Sequence, residues 1–326
     1  MRTTRSLLLT GATSGLGLGL ARQLAARTDW HFVMPARSVE RVDVLRAALS
    51  DTDVGERTHF VVCDQADLSS VREAATEIAG FIRSGVIPPL SSIVLNAGVM
   101  SRDALRVSAD GLEVTLATNL LGPHALLALL SPHFAADARI LIVGSNVIHK
   151  AWWHRITGVR TPRWRPLNEQ CAPSDDGPQA YARSKLGLLY LSLALNRLAP
   201  EGISSVYFDP GVMPGTNILR DRTRVSQIYW REVLPHIAWT FGGVTVRRAA
   251  KTLRPYALHE TPLTGWSHLC VRSKKRYVEN DGDADRIRDY FDSANAICGI
   301  RSADTSPWWW QPDRITVRAV NDGHRR

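Results

Sequence analysis

Short apolar runs separated by amphipathic stretches set the rhythm of this chain. Ser6–Thr10, His31–Met34, His59–Cys63, Ser92–Leu95, Ile140–Val143, Ser204–Phe208 and Trp266–Val271 are brief, mostly apolar segments. Runs of this length without strict polar alternation fit strands buried on both faces. Between them, Gly17–Ala26, Leu68–Ile82, Gly111–Leu130 and Ala180–Leu198 repeat apolar residues at helical intervals, which predicts helices with one buried face. The alternation predicts an α/β fold: a single Rossmann-type, doubly wound parallel sheet of about seven strands with helices on both faces. It runs without interruption, so one domain over residues 1–299 is expected, followed by a tail over 300–326.

Two stretches break the rhythm. Residues 146–180 hold Pro162, Pro166, Pro173 and Pro178, cannot form one helix, and read as an insertion. Residues 212–248 follow a strand, carry Tyr229, Trp230, Trp239 and Phe241, and read as a substrate lid, with helical core packing as the equal alternative. In the tail, Trp308-Trp309-Trp310 cannot all face water cheaply. Docking on the same chain or on a neighbouring subunit is the plain expectation.

Composition narrows the picture. Of 326 residues 44% are hydrophobic and 22% charged, which excludes collagen-like, disordered and multi-span membrane classes. The net charge of +9 comes from 40 basic against 31 acidic residues. All but five of the cations are Arg, the default of GC-rich bacterial coding, so the excess only partly calls for an anionic partner. The cysteines at 63, 171, 270 and 298 form no CxxC pair. No metal site and no disulfide framework is expected, and a reducing, cytoplasmic setting follows. His124, His149 and His154 likewise lack metal-ligand spacing. No stretch reaches the roughly 18 apolar residues of a membrane span, and Leu7–Leu9 is too short for a signal core.

The first strand runs directly into Thr10-Gly11-Ala12-Thr13-Ser14-Gly15-Leu16-Gly17 and then into a helix. A strand, a glycine turn and a helix N-terminus form an anion site for a pyrophosphate. The second strand ends at Arg37-Ser38 with no Asp or Glu, where an Arg accommodates a 2′-phosphate, so NADP(H) is expected over NAD(H). A solvated surface Arg is the plain alternative. Tyr181 and Lys185 lie four apart on one helix face. An ammonium beside a phenol lowers its pKa and makes proton donation feasible.

These elements, in order, resemble the short-chain dehydrogenase/reductase family over roughly residues 5–275. The carriers are the glycine motif at 11–17, Cys63-Asp64, Asn96-Ala97-Gly98, Asn119, Ser145, Tyr181 with Lys185, and Pro210-Gly211. The look is nearest to the branch of protochlorophyllide reductases, retinol dehydrogenases and bacterial relatives. Ile142-Val-Gly-Ser145, the wide Ser145–Tyr181 spacing and Phe208-Asp-Pro-Gly-Val-Met-Pro-Gly-Thr216 carry that nuance.

The resemblance implies roles. Thr10, Gly11, Thr13, Ser14, Gly15, Leu16 and Gly17 would bind the pyrophosphate, with Arg37 and Ser38 at the ribose phosphate. Asp64 and Gln65 would meet the adenine, although the family commonly has Asp-Leu there. Asn96, Ala97 and Gly98 would line the cofactor, as would Pro210, Gly211 and Met213. Lys185 would hold the nicotinamide ribose and lower the Tyr181 pKa. Ser145 would polarise the substrate oxygen, and Asn119 would anchor a water in a proton relay.

The expected activity is NADPH-dependent reduction of a carbonyl, or less readily an activated C=C bond, of a hydrophobic or aromatic small molecule, with Tyr181 as general acid. A place in bacterial specialised metabolism is the background expectation. The oxidative direction, an NADP-dependent alcohol dehydrogenase, is the first alternative. A non-redox enzyme or cofactor-binding scaffold is the second, and the full Asn119, Ser145, Tyr181, Lys185 set speaks against it. Asn146, Val147, His149, Trp152, Trp153, Tyr229 and Trp230 are candidate substrate contacts. The basic and aromatic residues of 150–165 can also signal nucleic acid, but their place just after Ser145 favours a pocket wall. The basic run Arg272–Arg276 reads as a solvated face. The resemblance also implies a possible homo-oligomer through helices 111–130 and 181–199.

Overall fold

The computed structural model describes residues 4–24, 27, 29–52, 57–101, 105–149, 159–173, 176–213, 243–263, 265–271, 283–311 and 314–315. Candidate contacts Trp152, Trp153, Tyr229 and Trp230 lie outside this set, as do Lys150 to Gly158, most of the 212–248 segment and the basic run at 272–276.

In chain order the elements are β1 (Arg5–Leu9), α1 (Gly15–Leu24), β2 (Trp30–Ala36), α2 (Val39–Ala48), β3 (Thr58–Val62), α3 (Leu68–Arg83) and β4 (Leu90–Leu95). There follow α4 (Val114–Leu116), a π-helical turn (Ala117–Leu121), α5 (Gly122–Leu130), β5 (Phe134–Val143), α6 (Leu167–Cys171) and α7 (Gly177–Leu198). The last are β6 (Ser204–Asp209), α8 (Val246–Ala257), β7 (Trp266–Cys270) and α9 (Asp283–Ile297).

The described strands form a seven-stranded sheet in the order β3-β2-β1-β4-β5-β6-β7. Every pairing is parallel, as the unbroken apolar runs predict. One face packs Leu8, Ile93, Ile140 and Tyr207 under α3, α5, α7 and α9. The other packs Leu7, Leu9, Leu141 and Phe208 under α1 and α8. Strand order reverses between β1 and β4, and that switch point opens a crevice at the carboxyl ends of the strands.

Each of the seven predicted strands is present, with ends shifted by a few residues. β5 begins six residues earlier than expected, because Phe134–Asp137 is only partly covered and its Ala-Ala-Asp stretch shows no strand pattern. Helix α2 escaped notice because only Val42 and Leu45 of it are buried.

The helical run Val114–His133 is long and apolar enough by composition to cross a membrane, contrary to the expectation that no stretch qualifies. Its most apolar window is 83% buried inside the protein. The π turn and the near-continuous apolar sequence reflect a helix enclosed on all sides.

The Trp run docks on the chain itself. Trp309 is fully buried, with its ring against His124 and Phe291 and its indole N–H donating to Asn295 Oδ1 at 3.0 Å. Trp308 leans on Phe134, and Trp310 keeps 37% of its surface exposed.

Candidate active site

The glycine turn is held from below by β4. Thr10 Oγ1 accepts from the Asn96 and Ala97 N–H groups at 3.0 and 3.1 Å. The Asn96 side-chain amide donates back to the Thr10 and Gly11 carbonyls at 3.0 and 3.1 Å. Gly11 has φ +69° and lies so close to β4 that a Cβ would stand 2.6 Å from Ala97 Cα. No side chain fits there, so the turn stays flat beneath the N-terminus of α1. No acidic residue occupies the first turn of that helix, which leaves its positive end open to an anion.

At the adenosine end, Arg37 is exposed and Ser38 caps the start of α2. The Ser38 hydroxyl engages Glu40 and holds that carboxyl below its usual range. The Asp64 carboxylate turns its own loop, accepting from Ala66 N–H at 3.0 Å. Gln65 is buried, and neither polar atom of its side-chain amide has a hydrogen-bond partner. An orphaned amide at the end of β3 and a helix N-terminus free of acidic residues after β1 both fit a dinucleotide.

Catalytic candidates converge where β5, β6 and α7 meet. Asn119 sits in the π turn, a feature often found at functional sites. Its Oδ1 accepts from Val99 N–H at 2.7 Å, and its Nδ2 donates to Val99 O at 2.8 Å and Ser184 Oγ at 3.1 Å. Both amide protons are thereby committed, so the side chain clamps the 96–99 loop onto α7. A relay water would have to use the remaining lone pairs or the backbone.

Lys185 is buried, and its Nζ donates to Val143 O at 2.9 Å. It lies 5.6 Å from the centre of the Tyr181 ring. Burial lowers the ammonium to about 8. Tyr181 is pushed up to about 12 by burial; the Ser145 side-chain hydrogen bond pulls it back and Asp209 pushes it further. This corrects the expectation of a phenol lowered by Lys185. Here the ammonium donates to a carbonyl, and burial is the largest influence on the phenol.

Asp209 is a residue that sequence reasoning quoted within a motif but gave no role. It is 2% exposed, and its Oδ1 accepts from Gly211 N–H at 2.8 Å. Burial raises it to about 6, against lowering by the Gly211 and Asn146 backbone N–H groups. Its carboxyl therefore ties the loop after β5 to the loop after β6. Tyr207, two residues earlier and on the same strand face, was also missed. No pattern along β6 set the pair apart, because Ser204 and Ser205 of the same strand are polar and buried as well.

Beyond Ser145, Asn146 is half-buried, Val147 is 4% exposed and packs in the core, and His149 stacks on His268 at 5.8 Å. Met213 packs against the α1/α8 core. Val244 N–H donates to Val212 O at 2.8 Å and closes the base of the 214–242 segment. Among the described residues, no cluster of His, Cys, Asp and Glu can hold a metal ion.

Comparison with known proteins agrees with this geometry. A sequence model of the short chain dehydrogenases matches residues 5–157. Mouse (Mus musculus) polyprenol dehydrogenase is 34% identical over 308 residues, covering 87% of this chain and 78% of that protein. Chloroplastic protochlorophyllide reductase A of rice (Oryza sativa subsp. japonica) is 26% identical over 322 residues, covering 90% of this chain and 80% of that protein. A Burkholderia cenocepacia J2315 short chain dehydrogenase, solved in complex with NADP, superposes with a TM-score of 0.57 at 22% identity, covering 83% of this chain and 98% of that chain. With fold, motif order and relatives in agreement, the chain belongs to the short-chain dehydrogenase/reductase family of oxidoreductases.

Proposed function

We propose that the protein is an NADPH-dependent reductase of a carbonyl on a hydrophobic small molecule, with Tyr181 as general acid. One observation carries the reading: Tyr181, Lys185, Ser145 and Asn119 converge at the crevice, with Lys185 Nζ 5.6 Å from the centre of the Tyr181 ring and a hydrogen bond linking the Tyr181 and Ser145 side chains. Tyr181, its phenol pushed up to about 12, is the proton-bearing member of the set.

The glycine turn, the α1 N-terminus, Gln65 and the Asn96–Gly98 loop would hold the dinucleotide, with Arg37 and Ser38 at a 2′-phosphate. The NADP in the Burkholderia structure supports that choice. When bound, the cofactor supplies a hydride to the carbonyl carbon. Ser145 orients the substrate oxygen, and Tyr181 gives it a proton as charge develops. An alkoxide is a far stronger base than a phenolate, so the transfer runs downhill even from a raised phenol. Lys185 steadies the phenolate left behind, and Asn119 fixes the loop beneath it. In this reading residues 1–299 are one cofactor domain carrying the 146–180 insertion and the 212–248 lid, with 300–326 as its tail. The aromatic residues of the insertion and lid, together with the polyprenol dehydrogenase among the relatives, favour a hydrophobic substrate. Reduction of an activated C=C bond is the second chemistry.

The test is Tyr181→Phe and Arg37→Asp, assayed against a panel of aromatic ketones, prenyl aldehydes and enones. Tyr181→Phe should cut turnover by about 10²–10⁴ and leave NADPH binding intact. Arg37→Asp should shift preference toward NADH. Full turnover in Tyr181→Phe would sink the mechanism, and unchanged cofactor preference would remove Arg37 from it.

A further inference from the structure

We propose that Tyr207 is a positioning residue: its hydroxyl, at a junction between β5, β6 and α7, sets where Ser145 and Lys185 stand. The inference rests on the reading that Ser145, Tyr181 and Lys185 do the chemistry.

Tyr207 is fully buried. Its hydroxyl accepts from the Ser145 backbone N–H at 3.1 Å. It donates toward the Lys185 carbonyl at 3.2 Å, with the Ser145 carbonyl at 3.4 Å. One atom thus touches the backbone of two catalytic candidates that are 40 residues apart in the sequence. The ring is closely held. His268 meets it edge-on at 5.2 Å, and Gly144 lies so near that any Cβ there would run into the ring and its hydroxyl.

The sequence logic follows from that contact. The last β5–β6 ladder bond is Gly144 N–H to Phe208 O at 2.8 Å. Ser145 is the first residue beyond it, in extended conformation with φ −166°, and has no strand partner of its own. Tyr207 supplies the missing acceptor from the side. A Phe would fill the same apolar space; the hydroxyl is worth burying only because its hydrogen bonds are made. Small errors in placing reactive groups are costly, about 10² in rate for a displacement near 1 Å. A fixed Ser145 backbone therefore has a direct kinetic consequence.

The experiment is Tyr207→Phe, read three ways in the full-length protein. Turnover of a panel carbonyl should fall about 10–100-fold through kcat, with the NADPH dissociation constant within about twofold of wild type. Amide hydrogen exchange at Ser145 should quicken by about tenfold or more while Ile140–Val143 keep their protection. If Tyr207→Phe loosens the whole sheet, Gly144→Ala/Tyr207→Val refills the space without a hydroxyl and should show the same kcat loss and the same local exchange. Wild-type kcat together with wild-type Ser145 exchange in either folded variant overturns the proposal. If the wild-type protein turns over no carbonyl, the reductase reading fails on its own, and Ser145 exchange still decides the junction.

Discussion

Two regions of the molecule bury ionisable side chains beside a tyrosine, and they put them to different uses. Under the tail, His124 is fully buried between α5, α9 and Trp309. Its Nδ1 meets Tyr290 Oη at 3.0 Å and its Nε2 meets Asn295 Oδ1 at 2.9 Å. Because Trp309 can only donate to that same oxygen, Asn295 Oδ1 is an acceptor, His124 Nε2 carries the proton and Nδ1 accepts from Tyr290. The network works with a neutral imidazole, and burial lowers its pKa to about 4. In the cleft, burial likewise opposes the charged forms of Tyr181, Lys185 and Asp209, raising the first and last and lowering the ammonium. The first region spends buried polarity on holding the tail in one place. The second gathers three shifted groups at one crevice, the arrangement that marks a candidate functional site.

The sharpest way to separate the two is Trp309→Ala. It empties a large buried site and should lower unfolding free energy by about 3–5 kcal/mol, measured by urea denaturation. Turnover well below the melting temperature should stay near wild type. A loss of activity with no loss of stability would join the tail to the cleft and end the contrast.

Acid should act next. His124 has a folded pKa of about 4 against the 6.5 of a free imidazole, so the unfolded chain binds the extra proton first. Stability should fall as pH drops from about 6.5 to 4, by on the order of 3 kcal/mol. Melting curves across that window should show the loss, and His124→Asn should flatten it. An unchanged slope in the variant would place the acid sensitivity elsewhere.

Asp209 should show a smaller effect of the opposite sign. Its folded pKa of about 6 lies above the 3.8 of a free carboxyl, so ionisation costs stability as pH rises through that interval. Asp209→Asn should gain up to about 3 kcal/mol at pH 8 and little at pH 4. A variant less stable at pH 8 would mean that the Gly211 and Asn146 hydrogen bonds outweigh desolvation.

The sequence was most readable where one physical rule decides. Buried parallel strands must be apolar on both faces, so all seven could be located from composition along the chain. The glycine turn was legible because Gly11 has a backbone neighbour where a Cβ would go. The direction of the Tyr181 shift was not legible. Spacing places Lys185 on the same helix face, but only the fold shows its ammonium turned to Val143 and stripped of solvent. Tyr207 stayed hidden for a related reason. Its partners are the backbone atoms of residues distant in sequence, and no residue pattern along one strand records them. Helix α9 was missed because its buried residues face a surface that α5, α7 and the tail create together.

The Val212–Val244 hydrogen bond carries a consequence for how such a protein can change over time. The hydrogen bond from Val244 N–H to Val212 O pins the two ends of the 214–242 interval side by side, between β6 and α8. Loop-closure entropy rises only slowly with length. A change of length between those two valines therefore costs little at the pinned pair, and the register of β6 and α8 is set without it.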